Sequence, residues 1–248
     1  VGGQKKYRQS FLKQADLYLY DTNLLMYLLD VRDMGRYAEA LNFFTEIVNI
    51  LRSFNQIPPI IICLHKFDPD IKEDKFLNNQ IEVLKENFKE IAPEFTIKFF
   101  KTSIFNQYTL NKAFSAGVSA MSPNRDILRG QLKWLSNETN AQAMLLIDDN
   151  NIILSDVSRN QLSQKVSELS APHFKNLYNT FYDFKLLKQN TAVWRMDDAM
   201  ISFISLNLDN NKIYLLSLLN NDEKKIKKLE NKLTEFKERI IPLIQSFL

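Results

Sequence analysis

Three short, almost unbroken apolar runs at residues 23–30 (NLLMYLLD), 59–64 (PIIICL) and 95–101 (FTIKFFK) alternate with longer segments of helical spacing. A strand that is apolar on both faces must be covered on both, which is the pattern of a parallel sheet fed by crossover helices. The segment at 37–55 places Leu41, Phe44, Ile47, Val48 and Leu51 on one helical face. Further helices are predicted at 74–92, where the sequence is largely polar, and at 109–121. The resulting β-α-β-α-β-α order predicts an α/β fold, a parallel sheet with helices on both faces. Its ligand loops lie at the carboxyl ends of the strands.

The pattern changes after Ser122-Pro123-Asn124, where Pro ends a helix and Asn can cap the next. We therefore expect two domains, residues 1–122 and 123–248. In the second, helices are predicted at 125–138, at 161–174 and from 222 to near the end. Strands are predicted at 141–147, 152–155, 191–196, 200–206 and 212–218. Turns fall at Asp148-Asp149-Asn150-Asn151, Asp197-Asp198 and Asp209-Asn210-Asn211. This α-β-β-α-β-β-β-α order predicts an α+β domain with an antiparallel sheet covered by helices. Residues 175–190 fit either a longer helix or a loop.

Composition excludes several functions. With a net charge of +3 and basic residues scattered among acidic ones, there is no field to attract a nucleic acid polymer. No run approaches the roughly eighteen apolar residues of a membrane span, and no signal peptide is visible. Cys63, the single cysteine, lies inside an apolar run and reads as a buried, inert thiol in a reducing compartment. His173 has no second ligand at metal spacing, so no metal site is expected. Trp134 and Trp194 read as core residues. The final helix carries an apolar stripe at Ile226, Leu229, Leu233, Phe236, Ile240, Ile244 and Phe247. That stripe packs on its own sheet or serves as a partner seam, the first being the commoner use. Lys224, Lys225, Lys227 and Lys228 read as a solvated face beside Glu223 and Glu230.

Three short motifs remain. Val1-Gly2-Gly3-Gln4 opens the chain, His65-Lys66-Phe67-Asp68 follows the second apolar run, and Thr102-Ser103-Ile104 follows the third. Each alone has a plain alternative: a turn, solvated loop charges, and a helix N-cap. They nevertheless occur in order, the last two at the carboxyl ends of predicted strands. An Asp in such a place can accept two hydrogen bonds from the guanine edge, N1–H and the exocyclic amine, a donor pair adenine lacks. No G-x-x-x-x-G-K-[ST] phosphate loop occurs, and the five glycines are Gly2, Gly3, Gly35, Gly117 and Gly130.

On these motifs and the attached α+β domain, the sequence resembles the Rag/Gtr family of Ras-like small GTPases over nearly its whole length. The Gly-Gly-Gln form is also similar to the Arf-like branch, which lacks such a second domain. The resemblance implies a P-loop-type G domain, partial here, followed by a roadblock/longin-like dimerisation domain. It implies GTP and GDP as ligands, a nucleotide-dependent switch, and GTP hydrolysis by the full protein, with this chain alone inactive. Gln4 would position the attacking water and Gly3 would sense the γ-phosphate. His65, Lys66 and Asp68 would form the base loop, with His65 in place of the more usual Asn. Thr102, Ser103 and Ile104 would form the loop whose backbone amide meets the guanine O6. The phosphate loop, the first-switch threonine and the Asp before the Gly-Gly-Gln run are expected upstream of Val1, and Mg²⁺ would bind only with them. The implied partners are another GTPase of the family and roadblock/longin-type scaffolds, with a cytoplasmic location peripheral to a membrane through partners. A nucleotide-free adaptor acting through its second domain is the alternative.

Overall fold

The computed structural model describes residues 4–187, 190–208 and 211–244. Gly3, Asp209, Asn210 and Phe247 lie outside them. The chain forms two compact units that divide between Ala113 and Phe114. That point falls inside a helix, earlier than the Ser122-Pro123-Asn124 boundary expected from the sequence.

In the first unit, helices α1 (Lys5–Lys13) and α2 (Ala15–Tyr18) precede strand β1 (Leu25–Asp30). They are followed by α3 (Tyr37–Ser53), β2 (Ile60–His65), α4 (Lys75–Ile91), β3 (Ile97–Thr102) and α5 (Gln107–Met121). Both short N-terminal helices were unforeseen; none of their residues is fully buried, and Phe11, Leu12 and Ala15 pack on the core only partly buried. The sheet has the order β1-β2-β3 and is wholly parallel. Its register brings Asp30, His65 and Thr102 level, so the three strands end in one row.

The α3 residues Phe44, Ile47, Val48 and Leu51 and the α4 residues Leu77, Ile81, Leu84 and Phe88 share one core with Tyr27, Leu29, Ile60, Ile62 and Leu64. Phe44 and Phe88 meet edge to face at 4.8 Å between centroids, a favoured aromatic geometry. Asp74 caps α4 by accepting a 2.9 Å bond from the Leu77 amide. Ile61 and Cys63 alternate to the other face of β2 and are buried as well, as a strand covered on both sides requires. Burial pushes the Cys63 thiol up to about 11, which keeps it protonated and inert.

The second unit holds α6 (Arg125–Thr139), β4 (Ala143–Asp148), β5 (Ile153–Ser158), α7 (Gln161–Asp183), β6 (Thr191–Arg195), β7 (Ala199–Leu208), β8 (Asn211–Asn220) and α8 (Glu223–Ile244). Its sheet is antiparallel throughout, in the order β5-β4-β8-β7-β6. The ambiguous stretch after residue 174 continues α7 to Asp183, because Lys175 and Tyr178 lie on its buried face. Leu128, Leu132 and Leu135 of α6 and the α8 stripe pack on one face of the sheet. Ala171 and Tyr178 of α7 pack on the other. The final stripe therefore serves the chain's own core, with Ile226, Leu229, Phe236, Ile240 and Ile244 buried and Leu233 partly so. Trp134 and Trp194 are only partly buried: Trp134 lies under Arg239 and Lys232, and Trp194 against Phe174.

Candidate functional site

The level ends of β1, β2 and β3 place three polar loops side by side. The loop after β2 begins with His65, whose Nδ1 lies 3.1 Å from the Thr102 Oγ1 at the end of β3. Lys66 follows with φ of 61°, a left-handed conformation that costs a side-chain-bearing residue about 1–2 kcal/mol. Contacts on every side hold it there. Its ammonium donates to Asp30 Oδ2 at 2.6 Å, its carbonyl accepts from Arg32 Nε at 3.3 Å, and the next amide, Phe67 N–H, donates to the Thr102 carbonyl at 3.0 Å. Strain stored in this way is commonest at functional loops.

Asp68 is the buried member of the group, 9% exposed. Its Oδ1 accepts from the Ser103 hydroxyl and its Oδ2 from Arg32 Nη2 at 3.0 Å. A carboxylate has about four lone-pair positions, so these two partners leave capacity for a ligand. Ser103 is fixed in turn: its amide donates to Thr109 Oγ1 at 3.0 Å, and its hydroxyl accepts from the Phe105 amide at 3.1 Å.

The same arrangement sets the electrostatics. Burial alone would raise the Asp30 carboxyl, but the Lys66 ammonium and the Arg32 amide outweigh it and hold Asp30 below its ordinary value. Asp70 is lowered by its hydrogen bond from Arg32, and Arg32 is raised chiefly by Asp70. The loops are thus charged and paired at neutral pH.

The structure gathers His65, Lys66, Asp68, Thr102 and Ser103 into this one cluster. Ile104 is in the adjoining turn with its side chain 68% exposed. Gln4 stands at the start of α1, exposed, its carbonyl accepting the amides of Tyr7 and Arg8. It makes no contact with the cluster among the described residues. Lys66 places its ammonium on Asp30. Sequence reasoning missed Asp30, Arg32 and Asp70. Asp30 was visible as the polar end of an apolar run, whereas Arg32 carried no motif. Alongside the edge of β1 that pairs with no strand among the described residues runs a cleft of about 820 Å³, lined by Phe11, Tyr18, Tyr27 and Phe43 and reaching Asp30.

The model for the Gtr1/RagA G protein conserved region matches residues 1–180. Among solved structures, the chain is similar to Myxococcus xanthus MglB, at 10% identity and a TM-score of 0.38 over 49% of this chain and 90% of that one. MglB with a tetrameric arrangement matches at 15% identity and a TM-score of 0.40, covering 51% and 94%. A Roadblock/LC7 domain from Streptomyces avermitilis matches at 11% identity and a TM-score of 0.35, covering 45% and 96%. Comparison with curated protein sequences found no match.

Proposed function

From the premise that this chain belongs to the Gtr1/RagA G-protein family, we propose that it is the base-binding and dimerising part of a switch governed by GTP and GDP. In this reading residues 1–122 belong to the G domain and 123–248 to a roadblock-like dimerisation domain. The observation that carries it is the buried Asp68 carboxylate, held at the ends of parallel strands with acceptor capacity to spare.

Guanine would place N1–H and its exocyclic amine on Asp68, with Ser103 holding the carboxylate in line. The Ile104 amide would face O6, and His65 with Thr102 would brace the two loops. Gly3 and Gln4 would act at the γ-phosphate, and no other residue of this chain is assigned to phosphate or Mg²⁺. Mg²⁺ would neutralise the charge on the phosphates, on which hydrolysis depends.

Dimerisation is assigned to the second domain, and the partner to another GTPase of this kind. In support, α7 leaves Leu162, Val166, Leu169 and Leu177 exposed three, four or eight residues apart along one side, while its buried face serves the sheet. No helix among the described residues is long and apolar enough to cross a membrane. A cytoplasmic location, with membrane contact only through partners, completes the reading.

Competition against a fluorescent GDP on the full-length gene product tests the base assignment. GDP should displace the probe best, IDP less well because it lacks the exocyclic amine, and ADP least. Equal competition by ADP would refute it.

A further inference from the structure

Arg32 holds one of the two carboxylate oxygens, Asp68 Oδ2, that the proposed base would use. We infer that its guanidinium is a built-in competitor for guanine, bridging Asp68 and Asp70 until a base arrives and then releasing Asp68 while keeping Asp70. The inference rests on the guanine reading of Asp68.

Three observations support it. The Arg32 Nη2 group is shared, donating to Asp68 Oδ2 at 3.0 Å and to Asp70 Oδ1 at 2.5 Å. A guanidinium offers planar N–H donors to a carboxylate, as the guanine edge does. One class of receptor can therefore hold either, but not both at the same lone pairs. The second observation is the contrast between the two receptors: the Asp68 side chain is 12% exposed and that of Asp70 63%. When a base takes the buried receptor, the cation retains the exposed one in water, so its displacement strands no charge. The third is the fixed root of the side chain, because the Arg32 amide donates to Asp30 Oδ1 at 3.0 Å. The side chain can swing while its backbone stays in place.

The chemistry explains why such a group would sit there. A largely buried carboxylate with a single hydroxyl partner would be costly in the empty state. Arg32 supplies the missing donor, tied at Nε to the Lys66 carbonyl, so the strained loop keeps its conformation until a ligand with the right donors replaces the cation. The device is a lock whose second resting place lowers the cost of opening it.

Equilibrium titration of the full-length gene product with fluorescent GDP tests this through a cycle of variants. Arg32→Ala should bind about fivefold tighter, and Arg32→Gln, which keeps most of the stem, should do the same. Asp70→Asn should bind about threefold weaker, because Arg32 then has only Asp68 to hold. In the Arg32→Ala background Asp70→Asn should have no effect, since its influence runs through the arginine. If Arg32→Ala and Arg32→Gln bind no tighter than wild type while Asp68→Ala abolishes binding, Arg32 is a positioning residue. The lock is then refuted and the guanine reading stands. If Asp70→Asn weakens binding equally with and without Arg32, the swing is refuted. If wild type and every variant fail to bind the probe, the guanine reading itself falls and takes the lock with it.

Discussion

Asp68 and Asp148 are both buried carboxylates, 9% and 7% exposed, one in the loop after β2 and the other ending β4, yet they are held by opposite kinds of partner. Asp148 closes the β4–β5 hairpin, where its Oδ1 accepts the amides of Asn150 at 2.8 Å and Ile152 at 2.7 Å. The left-handed residue of that turn is Asn151, with φ of 62°, a type that tolerates the conformation. In the Asp68 loop the left-handed residue is Lys66, and both partners of the carboxylate are side chains, Arg32 and Ser103. Backbone amides cannot leave without unmaking the turn, whereas side chains can turn away. The hairpin obeys turn chemistry and is built to stay closed. The strand-end loop departs from it, with Lys66 in the left-handed position.

The largest expected effect separates the two carboxylates by ligand. Asp68→Asn replaces an acceptor with a donor facing the guanine amine, and GDP affinity should fall on the order of a hundredfold. Xanthosine diphosphate, which carries a carbonyl in place of that amine, should gain. Asp148→Asn should leave both affinities unchanged. A titration in which Asp68→Asn holds GDP like wild type would make the loops equivalent and end the distinction.

Stability should rank them the other way. Asp148→Ala leaves two amides without their acceptor, at a cost of about 2 kcal/mol. Asp68→Ala lets Arg32 rest on Asp70, so the cost should stay near 1 kcal/mol or below. Urea midpoints for the two variants measure this, and a larger loss for Asp68→Ala would reverse the comparison. Smaller still is the effect of glycine at the left-handed positions. Lys66→Gly should raise stability by about 0.5 kcal/mol, strain relief outweighing the exposed Asp30 pair and the added chain entropy. Asn151→Gly should change it by less than about 0.3 kcal/mol in either direction, because Asn already tolerates the conformation. If Lys66→Gly destabilises instead, the loop is not strained.

Much of this was legible because apolar pattern is a backbone-scale signal. The three parallel strands, the helices at α3 and α4 and the antiparallel second unit follow from burial on both faces or on one. Asp68, Ser103 and His65 could be found because strand ends locate ligand loops. Helices α1 and α2 were not legible, since none of their residues is fully buried and Phe11, Leu12 and Ala15 meet the core only in part. The continuation of α7 was undecided because Lys175, a charged side chain, lies on its buried face. Arg32 could not be read at all, for its role depends on a register that aligns Asp30 with His65 and brings residues more than thirty apart into one loop cluster.

The last effect concerns pH at the strand-end loops. Asp30 has its folded-state value lowered below 3.8. Between that lowered value and 3.8 the unfolded chain therefore binds more protons than the folded one, and stability rises with pH across the interval. The contribution is fully present above the ordinary carboxylate value and is lost as acid takes the pH down through the folded one. Its size should be under about 1 kcal/mol, because the Lys66–Asp30 pair is partly exposed and screened by solvent. Urea midpoints taken from pH 5 to pH 2 should fall less steeply for Asp30→Asn than for wild type. A substitution that removes the carboxylate but leaves the slope unchanged would mean that the Lys66 pair holds the loop's shape without favouring the folded state. The lysine's left-handed backbone would then rest on its carbonyl and amide partners, Arg32 and Thr102, alone.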